Sequence, residues 1–251
     1  MNQISLNGKA YTGPSTWAEM TQQQLVIWNR ILAKEITLDD AIKLCIVAFY
    51  NIPKRTFFKL NPVQRFALGQ TLMFLHDGNR LVKWVTPTLR IRFKKFYGPE
   101  SRLSTSTIKE FRSTEFYYNA YRRSLDEKYL DMLIAALYRP KDKAPAGNDI
   151  REMFTDIKVR SNAGMMSKIN PDTRQLILFN YEGCRAFVAK KYPEIFKTGT
   201  AESNAIPDLE PLINIVAGGK FGTFRETEST GLYQFLDHLK GEIEDAEKKK
   251  S

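Results

Sequence analysis

The sequence is poor in the residues that most often carry chemistry. Its 251 residues include two histidines and two cysteines. His76 and His238 lie far apart in the chain, and neither forms a Cys/His/Asp/Glu pattern of the kind that binds zinc. Cys45 and Cys184 each sit in an apolar stretch of helical character, with no disulfide framework around them. Buried, reduced thiols are therefore expected, as in a cytosolic protein. Long apolar runs are absent too. None approaches the roughly 18 residues needed to cross a bilayer, and the polar start, Met1 to Pro14, lacks the apolar centre of a secretory signal. No membrane partner is expected.

Catalytic signatures are equally scarce. There is no Gly-x-Ser-x-Gly elbow and no Ser/His/Asp constellation. The stretch Gly218-Gly219-Lys220-Phe221-Gly222-Thr223 lacks the Gly-Lys-Ser/Thr ending of a phosphate loop and no clear strand precedes it, so it reads as a turn between helices. The expectation is a non-enzyme, with no catalytic, metal-binding or cofactor-binding residues and no cofactor.

What is present is an ordinary globular composition: 43% hydrophobic, 12% aromatic and 26% charged residues, enough to bury a substantial core. The net charge is +10 and unevenly spread. Arg80 to Arg123 holds eleven basic residues against three acidic ones, a net +8, whereas Glu226 to Glu247 holds seven acidic residues against one lysine, a net −6. Such polarity bears on partner choice rather than on fold.

Local signals are mostly helical. Ile4 to Tyr11 alternates around Asn7-Gly8 and predicts a β-hairpin with a type I′ turn. Thr21 with Gln24 forms a capping box for a helix to about Lys34. Thr37 with Asp39 and Asp40 opens another, and Asn61-Pro62 starts a third to about Leu75. Leu89 to Phe93 alternates with period two between Pro87 and Pro99, so an extended segment is expected there. Thr107 with Glu110 is a further capping box, for a helix to about Arg123, and Asp126 caps the next. A helix from Asp149, broken near Asn162-Ala163-Gly164, then a long one from Pro171 to about Tyr192, follow. The C-terminal part offers helices at Asp208 to Ala217 and Ser229 to Glu247, the last ending in Lys248 to Lys250, where lysines suit the dipole.

These signals predict a mainly α, multi-helix bundle with a small N-terminal β-hairpin and a short extended segment near residues 89–97. Loops rich in Pro, Gly and polar residues at 141–148 and 193–207 divide it into an N-terminal helical domain with hairpin (1–140), a helical continuation (149–192) and a C-terminal helical region (208–251).

Two charged stretches are candidate contact surfaces. In the first, Arg90, Arg92, Lys94 and Lys95 alternate with Leu89, Ile91, Phe93 and Phe96, and Arg122 and Arg123 close a run of aromatics. Cations interleaved with aromatics could track a nucleic-acid backbone and stack bases. Alternatively, the apolar residues are core and the cations snorkel outwards, leaving a surface for protein association. In the second, Glu242, Glu244 and Asp245 lie on the terminal amphipathic helix, as a solvated face or a grip for a basic partner.

Several stretches also resemble proteins of tailed-phage and prophage structural clusters, particularly those of Bacteroidetes-type elements. They are Ile4 to Tyr11 (I-x-L-N-G-K-x-Y), Trp17-Ala18-Glu19-Met20-Thr21, Phe96-Tyr97-Gly98-Pro99 with Arg102-Leu103, Thr107 to Phe111, and Leu133 to Pro140. The resemblance implies a tail-assembly group in which helical adaptors or chaperones bind tape-measure or tail components. It implies no cofactor and no reaction. Its implied partners are other phage structural proteins, in the bacterial host cytoplasm during assembly or in the virion; the two charged stretches add a second copy of the chain as a candidate, and the basic window 80–123 makes nucleic acid the alternative. Small tail chaperones are shorter than this chain, which leaves a connector, ring or internal virion protein open.

Overall fold

A computed structural model describes residues 1–145, 148–196 and 209–248. The protein is mainly α, with eleven α-helices and two antiparallel β-hairpins among the described residues. The chain divides into two compact units, residues 1–85 with 170–183, and residues 86–169 with 184–251. This division differs from the expected 1–140, 149–192 and 208–251. Loop composition is read along the chain and does not tell which distant segments share a core. Most of the 193–207 linker, together with Ala146, Gly147, Asp208 and Lys249 to Ser251, lies outside the described residues.

The first unit begins with the expected hairpin. Strands β1 (Asn2–Leu6) and β2 (Lys9–Gly13) pair in register Ile4 to Tyr11, and Asn7 and Gly8 take φ of 51° and 76°. Positive φ at both positions is what a two-residue type I′ turn requires. Helix α1 (Gln22–Leu32) closes its capping box reciprocally, Gln24 N donating to Thr21 Oγ1 at 3.2 Å and Thr21 N to Gln24 Oε1 at 2.9 Å. Thr37 caps α2 (Leu38–Phe49), and a short α3 (Lys54–Lys59), unmarked by any sequence signal, follows. Asn61 and Gln64 form a second complete box on α4 (Pro62–Gln70), which stops short of Leu75; a 3-10 turn at Met73–Asp77 replaces its last turn.

The core of this unit gathers Leu25, Trp28, Ile46, Phe49, Leu72 and Leu75, with Trp17 edge-on to Phe74. The first part of a long helix, α8 (Pro171–Lys191), completes it through Leu176. Asn180 on that helix clamps the extended segment before residue 86. Its Oδ1 accepts from Val85 N at 2.9 Å, and its Nδ2 donates to Leu81 O at 3.2 Å and to Lys83 O at 3.0 Å. The segment lies so close to the helix that a Cβ on Gly183 would collide with the Leu81 carbonyl.

The second unit holds the segment expected to be extended near 89–97. It is folded in two: β3 (Thr88–Ile91) pairs with β4 (Lys94–Tyr97) across an Arg92-Phe93 turn. The turn lacks Gly and Asn, so the usual sequence marker is missing. Helices α5 (Ile108–Ser124), α6 (Glu127–Leu137) and α7 (Asp156–Met166) follow. The helix expected from Asp149 starts instead at Asp156, capped by Thr155, and runs unbroken through Asn162 to Gly164. Residues 149–151 are extended, Arg151 bridging to Lys141. The remainder of α8, α9 (Glu210–Val216), a short α10 (Phe224–Ser229) boxed by Thr223 and Glu226, and α11 (Leu232–Lys248) complete the unit. The start of α11 is tied to the start of α5, Ile108 N donating to Thr230 O at 3.0 Å and Leu232 N to Ser106 O at 2.8 Å.

These close approaches give a stability test. Gly183→Ala is expected to lower unfolding free energy by ~1–3 kcal/mol through overpacking. Gly164→Ala, in the open interior of α7 with nothing within 4 Å of its new Cβ, is expected to raise it by ~0.5–1 kcal/mol. Urea denaturation midpoints read both.

Candidate partner-binding surfaces

The β3–β4 hairpin is organised by side-chain alternation. Leu89 and Phe96 face each other and are buried, as is Ile91, while Arg90 opposes Lys95 on the outer face. Arg90, Arg92, Lys94 and Lys95 are all exposed, and none makes an ion pair among the described residues. Lys95 instead lies over the Tyr97 ring, 4.9 Å from its centroid. At the tip, Phe93 is fully exposed and Arg92 takes a left-handed φ of 54°.

A buried charge cluster fixes the base of this hairpin. Tyr97 forms a two-way backbone bridge with Arg139, at 2.8 and 3.1 Å. The Arg139 guanidinium, 2% exposed, donates to Glu110 Oε1 at 2.6 Å and to Asp149 at 3.1 Å. Arg151, 4% exposed, donates to Glu110 Oε2 at 3.0 Å, to both Asp149 oxygens at 2.8 Å and to the Leu137 carbonyl at 2.9 Å. Burial pulls the Arg139 guanidinium below its ordinary value, partly offset by Glu110; in Arg151 burial is outweighed by Glu110 and Asp149, and the value rises. The expected capping box at Thr107 is consequently only half made. Thr107 accepts from Glu110 N at 3.2 Å, but the Glu110 carboxylate is turned inward to the arginines.

Arg122 and Arg123 do not extend the hairpin's basic surface. They occupy the last turn of α5, whereas the hairpin is tied at Glu110 near its start. Those points are about 20 Å apart along a helix that rises 1.5 Å per residue. Arg123 instead lines a cleft of about 780 Å³. The outer stripe of α5 walls it with Arg112, Phe116 and Arg123; Tyr129 and Met132 of α6 and Asp156 and Arg160 of α7 face them. Behind it, burial pushes the Tyr117 phenol up, with Asp156 adding to the shift and Arg160 opposing it. Arg112, Phe116 and Arg123 recur at intervals of four and seven, a helical stripe present in the sequence but not separable there from the buried face of the same helix.

The acidic candidates are less available than their number suggests. Glu242 lies 4.0 Å from His238, Glu244 3.7 Å from Lys240 and Asp245 3.4 Å from Lys248, all on α11 itself. The loop at Gly218 closes on itself, Gly218 N donating to Gly222 O at 2.6 Å, as a turn between α9 and α10. His76 lies in the 3-10 turn that ends at Asp77, and His238 packs edge-on to Phe221. Cys45 and Cys184 are free, buried thiols, each pushed up to about 12 by burial. No group of three or more metal-ligating side chains occurs among the described residues, and no helix there is long and apolar enough to cross a membrane.

No protein-family model matches the chain, and comparison with curated proteins and with solved structures finds no match.

The charge cluster carries a direct test. Glu110→Gln leaves two buried guanidinium groups short of a counter-charge and is expected to cost ~3–5 kcal/mol of unfolding free energy. Neutralising the exposed Arg90 or Lys95 should move it by no more than ~0.5 kcal/mol. Chemical denaturation followed by circular dichroism separates the two.

Proposed function

We propose that the chain is a non-enzymatic, phage-type virion assembly or structural protein, with a tail-assembly, chaperone-like or connector role, acting by protein–protein binding. The observation that carries this reading is the β3–β4 hairpin: a fully exposed Phe93 at its tip, and along the same hairpin four exposed cations without ion pairs among the described residues. An aromatic anchor that fills a partner's pocket, with a charged surround that steers and orients the encounter, is the arrangement of a binding hot spot. The complementary partner surface is an apolar pocket rimmed by carboxylates, on another phage structural protein. The site of action is the bacterial host cytoplasm during assembly, or the virion. The acidic face of α11 is a weaker contact surface in this reading, because Glu244 and Asp245 are paired with lysines of their own helix.

The same exposed ring among Arg and Lys side chains supports a second reading, a nucleic-acid contact in which Phe93 stacks on a base. Against one continuous strip across 80–123 stands the separation of Arg122 and Arg123 from the hairpin's base. The two readings differ in salt dependence and in partner.

Co-expression with the products of neighbouring genes, followed by affinity measurement, tests the proposal. A neighbouring structural protein should bind, and Phe93→Ser should weaken it by about 2 kcal/mol or more, roughly thirtyfold. Overturning results are binding indifferent to Phe93, or oligonucleotide retention whose salt slope falls when Arg90, Arg92, Lys94 and Lys95 are changed to Gln.

A further inference from the structure

The N-terminal hairpin has an open edge. In a two-residue type I′ hairpin the residues flanking the turn exchange both of their backbone hydrogen bonds. Leu6 with Lys9, Ile4 with Tyr11 and Asn2 with Gly13 are therefore the bonded pairs of this register. The backbone groups of Gln3 and Ser5 point the other way, out of the hairpin. No hydrogen bond takes them up among the described residues, and both residues are exposed.

This edge is held in shape rather than frayed. Asn2 Nδ2 donates to the Thr71 carbonyl at 2.8 Å, and the Met1 ammonium meets Glu19 at 2.6 Å. On the other strand, Gly13 lies against the Tyr50 ring, too close for any Cβ. Ile4 and Leu6 pack on the core but are only half-buried.

Native edge strands are ordinarily protected from further pairing by charge, proline or a bulge. Strand β1 has none of the three. Asn2 to Gly8 carries no charged side chain and no proline, and the register runs unbroken from Asn2 to Leu6. Strand β2 is guarded, with Lys9 at one end and Gly13-Pro14 at the other. A net charge of +10 opposes contact between two copies of the chain over much of its surface. At β1 two copies meet without bringing like charges together.

We infer that β1 is a self-pairing edge: β1 of a second copy adds to it, antiparallel, about a two-fold axis at Ile4. This register sets Gln3 opposite Ser5 of the second copy and Ser5 opposite its Gln3, so the outward backbone groups exchange their hydrogen bonds. Ile4 meets Ile4 across the axis and Leu6 meets Asn2, which covers the side chains that one copy leaves half-buried. Capture of a foreign strand draws its specificity from side-chain pockets along the edge. A second copy needs none, because the two-fold places its own Ile4 and Leu6 on the matching face. Growth stops at the pair, since the outer edges of the joined sheet are the two guarded β2 strands. The surface is independent of the β3–β4 hairpin and of the function proposed for it.

Sedimentation equilibrium of the full chain at rising concentration tests the edge. The weight-average mass should climb from 29.0 kDa towards twice that value. The affinity should be weak, because a pair of short strands falls below the ~1,200 Å² of a standard interface. Ser5→Pro removes an outward N–H and sets a ring in the seam, so it should abolish association while the hairpin's own ladder stays whole. Gln3→Lys/Ser5→Lys and Gln3→Glu/Ser5→Glu should each weaken self-association about tenfold, through like charges face to face. An equimolar mixture of these two variants should regain a mixed dimer. Ala10→Lys/Thr12→Lys on the β2 edge, and Phe93→Ser, should associate as the unaltered chain does. Circular dichroism checks that the variants stay folded. A chain still monomeric at about 1 mM, association that survives Ser5→Pro, or a Lys/Glu mixture no heavier than its components would overturn the inference. Loss of association in the β2-edge variant would assign the contact to β2, and loss in Phe93→Ser would assign it to the β3–β4 hairpin; either overturns it too.

Discussion

Glu110 is the residue on which the second unit turns. One of its oxygens meets Arg139 and the other meets Arg151, and Asp149 closes the set from the far side. Two guanidinium groups and two carboxylates make a neutral cluster, so each buried charge is compensated only while all four are in place. Replacing such a cluster with apolar groups of similar shape is often neutral or stabilising, whereas removing one member is costly. Its role here is therefore placement more than net stability. It holds the start of α5, the strand leaving α6 and the returning strand at 149–151 in one arrangement. Through the Tyr97–Arg139 bridge it also holds the base of the β3–β4 hairpin.

The same helix carries a second buried pair. Glu115 accepts both bonds of Arg185 Nε at 2.9 Å, and the Arg185 guanidinium lies 5.0 Å from the Tyr118 ring centroid. Helix α5 thus turns carboxylates inward and arginines outward. Its inner face is fixed by ion pairs in a dry setting, where electrostatics is strong. Its outer stripe is left to line the cleft. The eleven basic residues of Arg80 to Arg123 consequently divide among different tasks. Some are exposed on the hairpin; Lys109 and Arg112 are matched to acids within the unit; Arg123 lines the cleft. A charge count along the chain predicts one basic surface, and folding breaks it into several.

What was legible in the sequence is what depends on neighbours within about four positions. Asn7-Gly8 sets its own turn, and Thr21, Thr37, Asn61 and Asp126 bond the backbone two or three residues on. Pro171 starts its helix as expected. The failures share a different cause. Residues from Asp149 look like a helix start, but Arg151 bridges back to Lys141 and donates to Glu110, 41 positions away, while Asp149 is held by Arg139 and Arg151. Glu110 itself reads as half of a capping box and is spent on the core. Arg185 and Glu115, 70 positions apart, look like surface charges until folding brings them together. The cleft was invisible for the same reason, since Arg160 reaches it from a separate helix.

The two hairpins contrast in what holds them together. The N-terminal one has Asn-Gly at its turn, residues that take positive φ at little cost. The β3–β4 hairpin has Arg92 in that conformation, which disfavours an ordinary side chain by ~1–2 kcal/mol. It also sets Arg90 directly opposite Lys95, a like-charge pair that destabilises a sheet, and leaves Phe93 in water. None of these features helps the isolated hairpin to form, and the buried Leu89, Ile91 and Phe96 together with the Tyr97–Arg139 bridge hold it in spite of them. A partner with an apolar pocket and carboxylates at its rim would remove the last two penalties at once. The hairpin's shape is therefore set by the unit beneath it more than by the preferences of its own turn and cross-strand pairs.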